Sequence, residues 1–153
     1  MAFAERLAHL GLELPALALP VANYVPYKLA GKYLFLSGMI PVVGGQPRCT
    51  GLLGAGVSVE QGQDCARLCV LNALAWVNEA LHGDLERVFE VLQMRGFVAC
   101  TPEFTEHPKV INGASDLLVE LFGERGKHTR AAVGAPSLPL GVPVEIDFLF
   151  AVG

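Results

Sequence analysis

Residues 129–152, TRAAVGAPSLPLGVPVEIDFLFAV, constrain the fold of this chain most strongly. From Val144 onward the even positions Val144, Ile146, Phe148, Phe150 and Val152 are apolar, while Glu145 and Asp147 stand between them. Side chains alternate across a strand, so one face must meet a core and the other carries carboxylates. Ahead of this strand lies a second strand-like run beginning at Thr129-Arg130. The turn-forming PSLPLG at 136–141 lets the two runs double back as a wide hairpin. On that reading Arg130 and Glu145 lie on adjacent strands although fifteen positions separate them. They are the most site-like pair in the chain.

The apolar surplus is large for one domain. The chain has 153 residues, 52% of them hydrophobic and 17% charged, with mean hydropathy +0.45. A domain of this size has much surface for its volume, so a membrane or a subunit interface must absorb the surplus. No run of about 18 apolar residues free of charges or turn breakers occurs, which argues against a spanning helix. The N-terminal MAFAERLAHLG mixes acid and base and has no apolar signal core. We therefore expect a cytoplasmic oligomer with no membrane partner. The net charge of −4 and eleven scattered basic residues argue against a phosphate-binding surface and thus against a nucleic-acid partner. Cys49, Cys65, Cys69 and Cys100 lack histidines at ligand spacing and read as small buried thiols, not a metal site or disulfides.

In chain order, 4–10 reads as a short helix stopped by Gly11, and 12–21 as an extended connector with two prolines. Residues 24–29 and 33–37 read as strands around a turn at 30–32, the second (YLFLS) central in a sheet and extendable through 39–43. The clearest helix spans 57–81. Ser58 and Gln61 form a capping box, Gly62 is a flaw near its start, and Trp76 lies off the apolar stripe. A strand follows within 85–99, best at 90–99. A second helix runs from a Thr105 cap, with Pro108 in its first turn, to Phe122. This order makes a single α+β domain over 1–153: a short extension at 1–21, then a core at 22–152 with one mixed sheet and two helices on one of its faces.

These residues point to a family. The segment YLFLSGMIP, the two helices, and the final TRAAV…LPLGVPVEI resemble the RidA/YjgF/UK114 family, also called endoribonuclease L-PSP. The terminal motif is the most specific part: an arginine, Leu138-Pro139, and a glutamate fifteen positions after the arginine. AERLAHLGLELP and NYVP at 23–26 look like a less characterised branch.

The resemblance implies a chorismate-mutase-like fold, a homotrimer, and clefts lined by two neighbouring subunits. Its known activity is hydrolysis of reactive enamines and imines to keto acids and ammonia, with no cofactor or metal. Carried over, Arg130 would hold the substrate carboxylate through its planar fork. Glu145 would hold the attacking water or donate a proton. Tyr24, Ser37 and Gly38 would line the cleft, and Ser115 takes the place of a cleft asparagine, with Asn112 one turn earlier. Ala132 stands where the best-known deaminases carry a cysteine. Asp147 shares the face of Glu145 and reads as a solvated or interface carboxylate. His128 reads as a lone loop histidine and His107 as helix-start chemistry. The alternatives are a trimeric binder of small carboxylates or keto acids without chemistry, and a ribonuclease, which the acidic charge disfavours.

Overall fold

The computed structural model describes residues 1–17 and 22–153. The expected connector at 12–21 is irregular chain over 12–17, and its remainder lies outside the described residues.

The elements are α1 (Phe3–His9), β1 (Tyr27–Ala30), β2 (Tyr33–Leu36), β3 (Val42–Val43), β4 (Gln46–Pro47), β5 (Leu52–Leu53), β6 (Gly56–Val57), α2 (Val59–Ala80), β7 (Val88–Ala99), α3 (His107–Phe122), β8 (Thr129–Ala135) and β9 (Val144–Val152). Five strands form the main sheet in the order β1-β2-β9-β7-β8. The two long helices pack on one face, and their buried stripes close on the even positions of β9. The mixed α+β architecture expected from the sequence is present.

Local chemistry explains most element ends. Ser58 Oγ accepts from the Gln61 backbone N–H while the Gln61 side chain accepts from Ser58 N–H, starting α2 with a reciprocal cap. Gly11 stops α1 with φ +67°. Helix α3 starts one residue later than a Thr105 cap requires. Glu106 is its N-cap, without a side-chain bond, and Pro108 sits in the first turn. Gly62 is no flaw. It is buried, and a Cβ there would press on Val110, while one at Gly113 would lie 2.5 Å from the Gln63 backbone oxygen. Helices α2 and α3 cross almost backbone to backbone at these glycines.

The wide hairpin does not form. β7 lies between the two runs, pairing parallel with β8 (Met94 beside Arg130) and antiparallel with β9 (Phe97 beside Glu145). The reason is topological. β7, α3 and β8 form a strand–helix–strand unit, whose second strand returns parallel beside the first. The chain at 136–143 then carries β9 to the far side of β7, with Leu140 at φ +58° and Gly141 at +72° in the turn.

Smaller differences follow the same logic. β1 starts at Tyr27, not Tyr24, and β2 is an inner strand but not the middle one. Met39 forms a lone bridge to Ile146, and Val42–Val43 folds onto Gln46–Pro47 in place of prolonging β2. Residues 1–9 belong to the same body as the rest: Phe3 packs on Phe122, ring centroids 5.1 Å apart, and Arg6 donates to the Leu121 carbonyl.

The face of the sheet opposite the helices stays open. Tyr33 and Phe35 of β2 and Val133 of β8 are exposed there, and Leu149 is half-buried beside Phe35. No helix among the described residues is long and apolar enough to cross a membrane.

Candidate functional site

The candidate residues fall into two groups. The first gathers where β2 leaves the sheet. Between the pairs Phe35–Leu149 and Met39–Ile146 the β2 side advances four residues and the β9 side three. The extra residue makes a bulge at Ser37-Gly38, a device that bends a strand and re-aims its side chains. Ser37 Oγ donates to the Val25 carbonyl at 2.6 Å, pinning the Tyr24–Pro26 bend against the strand end. Tyr24, Ser37 and Gly38 then line one side of a cavity of about 330 Å³, with Asn72 and Trp76 of α2 on the other. Ser37 thus makes the local bond and also faces the cavity. Trp76 is half-buried and tilts against Tyr27 at 6.1 Å.

Glu145 stands behind this bulge. A Cβ at Gly38 would run into its carboxylate as it now lies, so the glycine leaves the room in which that carboxylate sits. Burial raises the Glu145 pKa from its ordinary value, and the charge of Asp147 adds to the shift. Asp147 itself is engaged: Arg95 Nε and Nη2 donate to its two oxygens at 3.0 and 2.7 Å. Its carboxylate is paired, not simply solvated. Glu145 forms no ion pair among the described residues.

The second group lies at the opposite edge. Arg130 is exposed on β8, beside the fully buried Met94, and therefore points to the helix face. Its Nη1 donates to Ser115 Oγ at 3.0 Å and its Nη2 to the Pro108 carbonyl at 3.4 Å. Ser115 Oγ also meets His128 Nε2 at 2.9 Å, and His128 Nδ1 meets the Gly126 carbonyl at 2.6 Å. A carbonyl only accepts, so Nδ1 bears the hydrogen. With a neutral ring Nε2 then accepts from the Ser115 hydroxyl, which in turn accepts from Arg130. His128 is therefore not a lone loop histidine. It is half-buried and orients Ser115 beneath the guanidinium. Sequence reasoning missed this because the contact depends on where α3 sits. Adjacency to Arg130 was the only signal.

Glu145 lies between Val144 and Ile146, both buried toward the helices, so it projects from the other face. One chain therefore holds Arg130 with Ser115 on one side of the sheet and Glu145 with Gly38 on the other. Asn112 lies one turn before Ser115 on α3, and Ala132 follows Arg130 on β8, partly buried against the core. His107 opens α3, its Nε2 3.3 Å from Cys100 Sγ beside Phe104, a contact beyond the helix-start role expected of it.

The chain is a layered α+β domain with a bulged inner strand, an edge-strand Arg130 that meets no carboxylate among the described residues, and a partly buried Glu145. The chain belongs to the family described as "YjgF/chorismate_mutase-like, putative endoribonuclease", whose model matches residues 4–152. It is 47% identical over 150 residues to the Trypanosoma cruzi protein TCP17, covering 95% of this chain and 91% of that one. The crystal structure of Atu1372 from Agrobacterium tumefaciens, of unknown function, superposes with TM-score 0.93 at 45% identity, over 99% of this chain and 92% of the other. A Shewanella oneidensis MR-1 protein described as a putative endoribonuclease superposes with TM-score 0.94 at 36% identity, over 99% and 100%.

Proposed function

We propose that this protein hydrolyses enamines and imines of small carboxylic acids to keto acids and ammonia, in clefts between the subunits of a homotrimer. The observation that carries the reading is the state of Arg130. Its guanidinium is exposed, held by two neutral acceptors, and paired with no carboxylate among the described residues. Arg95, by contrast, spends its charge on Asp147. An oriented, uncompensated arginine is suited to take a substrate carboxylate on two parallel hydrogen bonds.

The chemistry then needs a water and a proton. A protonated imine is electrophilic at carbon. One water adds there, the C–N bond breaks, and ammonia leaves with the keto acid, with no net redox change. Glu145 suits both halves. Its ionised form holds the water, and its raised pKa keeps more of the proton-bearing form available for the departing nitrogen. Tyr24, Ser37 and Gly38 supply the wall against which the ligand lies. Arg130 and Glu145 leave one chain from opposite faces, so the Arg130 of one subunit would complete the Glu145 side of its neighbour.

A second reading, binding without chemistry, draws on Ser115. Its one hydroxyl hydrogen goes to His128 while the oxygen accepts from Arg130, so it has no hydrogen left to donate to a substrate nitrogen. Ribonuclease activity stands third, against the net charge of −4.

An amino-acid oxidase generating 2-iminopropanoate and related imines separates these readings, with keto-acid release followed with and without the protein. Catalysis predicts acceleration that Arg130→Ala abolishes and Arg130→Lys restores in part. No acceleration over several imines, or equal acceleration by Arg130→Ala, defeats it. Calorimetric binding of 2-oxo acids that is lost in Arg130→Ala would then support the binder.

A further inference from the structure

Cys49 and Cys65 form no hydrogen bond with Arg130 and take no part in the reading above. Cys49 follows β4 and Cys65 sits in the second turn of α2, sixteen positions on. Their sulfurs are 3.1 Å apart. That is closer than two thiols ordinarily rest, yet short of the covalent length of about 2.05 Å. Cys65 is 1% exposed, whereas Cys49 is only half-buried and reaches solvent. Cys69 is wholly buried one turn further along α2, and Cys100 meets His107.

The pair joins two elements that flank the cavity. The β3–β4 hairpin is tied to α2 at one leg, where Asn72 Nδ2 donates to the Ile40 and Val42 carbonyls at 2.9 and 3.1 Å. Arg48 N–H donates to the Pro41 carbonyl, closing the hairpin base beside Cys49. Its tip, Gly44-Gly45, lines the cavity with φ of +59° and +79°. A bond between Cys49 and Cys65 would clamp the second leg onto α2 and fix that wall of the cavity.

We propose that Cys49 and Cys65 are a reversible dithiol–disulfide modification site, oxidised by low-molecular-weight disulfides, that locks the β3–β4 hairpin to α2. The Cys49 thiolate attacks one sulfur of the small disulfide and expels one small thiolate. The Cys65 sulfur then attacks Cys49 in the mixed disulfide, expelling the second small thiolate, which takes up the Cys65 proton. Two electrons and two protons pass from the protein to the small disulfide, which ends as two thiols. Burial, and then Cys49, push the Cys65 thiol up to about 12, so Cys49 makes the first attack and Cys65 resolves it. In a reducing compartment such a bond is transient and reports oxidant.

Trypsin makes the test simple, because Cys49 and Cys65 share the peptide between Arg48 and Arg67 while Cys69 lies in the next. The folded protein is treated with oxidised glutathione, its free thiols are alkylated, and it is digested without reduction. The expected peptide 49–67 is unalkylated and lighter by two hydrogens, and dithiothreitol restores it. Cys65→Ser should instead stop at a stable glutathione adduct on Cys49, and Cys49→Ser should not react there. Oxidised wild type should also melt higher than reduced, with no such change in Cys49→Ser. A wild-type peptide that remains doubly alkylated overturns the proposal. So does one that keeps glutathione on Cys49. The wild-type digest decides the matter even if the Cys65 variant fails to fold.

Discussion

Glu145 carries a charge that its surroundings resist. Its folded-state pKa lies above the unfolded value because burial disfavours the ion and Asp147 repels it. The sign follows from linkage. The proton-bearing form is favoured in the fold, so its stabilisation is fully present below the ordinary carboxylate pKa. It is lost as pH rises through the raised value. Glu145→Gln removes that dependence. The melting temperature of Glu145→Gln relative to wild type should therefore increase from about pH 4 to about pH 7. A difference that stays flat across that range would contradict the desolvated carboxylate. Arg130, Glu145, Ser37 and Gly38 could each be nominated from the sequence, because motif spacing marks positions. Their faces could not. A residue's face depends on which strand lies beside its own, and the hydrogen-bond chain from Arg130 to His128 depends on the docking of α3. Neither is written in local alternation.

Helices were the most legible elements, because a 3.6-residue stripe and a capping box are local signals. The expected helix at 57–81 is Val59–Ala80. Strand order was the least legible. Period-2 patterning identifies β9 but is silent on its partner, and the insertion of β7 comes from the parallel return through α3. The glycines of the helix crossing illustrate the same limit, since a close approach has no signature in one helix alone. It makes a sharp prediction. A methyl at Gly113 meets the Gln63 backbone, at 2.5 Å from its oxygen and 2.8 Å from its Cα, and backbone cannot step aside cheaply. Gly113→Ala should lower stability by about 1–3 kcal/mol, read from the urea midpoint. Gly62→Ala meets side chains alone, Val110 at 2.9 Å and Leu53 at 3.4 Å, which can shift where backbone cannot, so its loss should be smaller. Equal losses would refute the backbone-contact account.

At the scale of the molecule, the apolar surplus visible in composition has a location. It lies in part on the open face of the sheet, at Tyr33, Phe35 and Val133. Composition could announce the surplus but not its place, which required the strand order. On the proposed assembly that face is covered by other copies. Light scattering should give about three times 16.3 kDa. Phe35→Glu, which puts a charge into the covered face, should give a species of 16.3 kDa and lose keto-acid release. A wild-type monomer at micromolar concentration would sink the shared-cleft arrangement. The placement of Arg130 and Glu145 on opposite faces has a genetic corollary in such a ring. Lesions at the two residues would damage different sides of a subunit. A chain lacking Arg130 and a chain lacking Glu145, each inert alone, would complement when co-assembled, because one junction in the mixed ring joins an intact arginine to an intact glutamate.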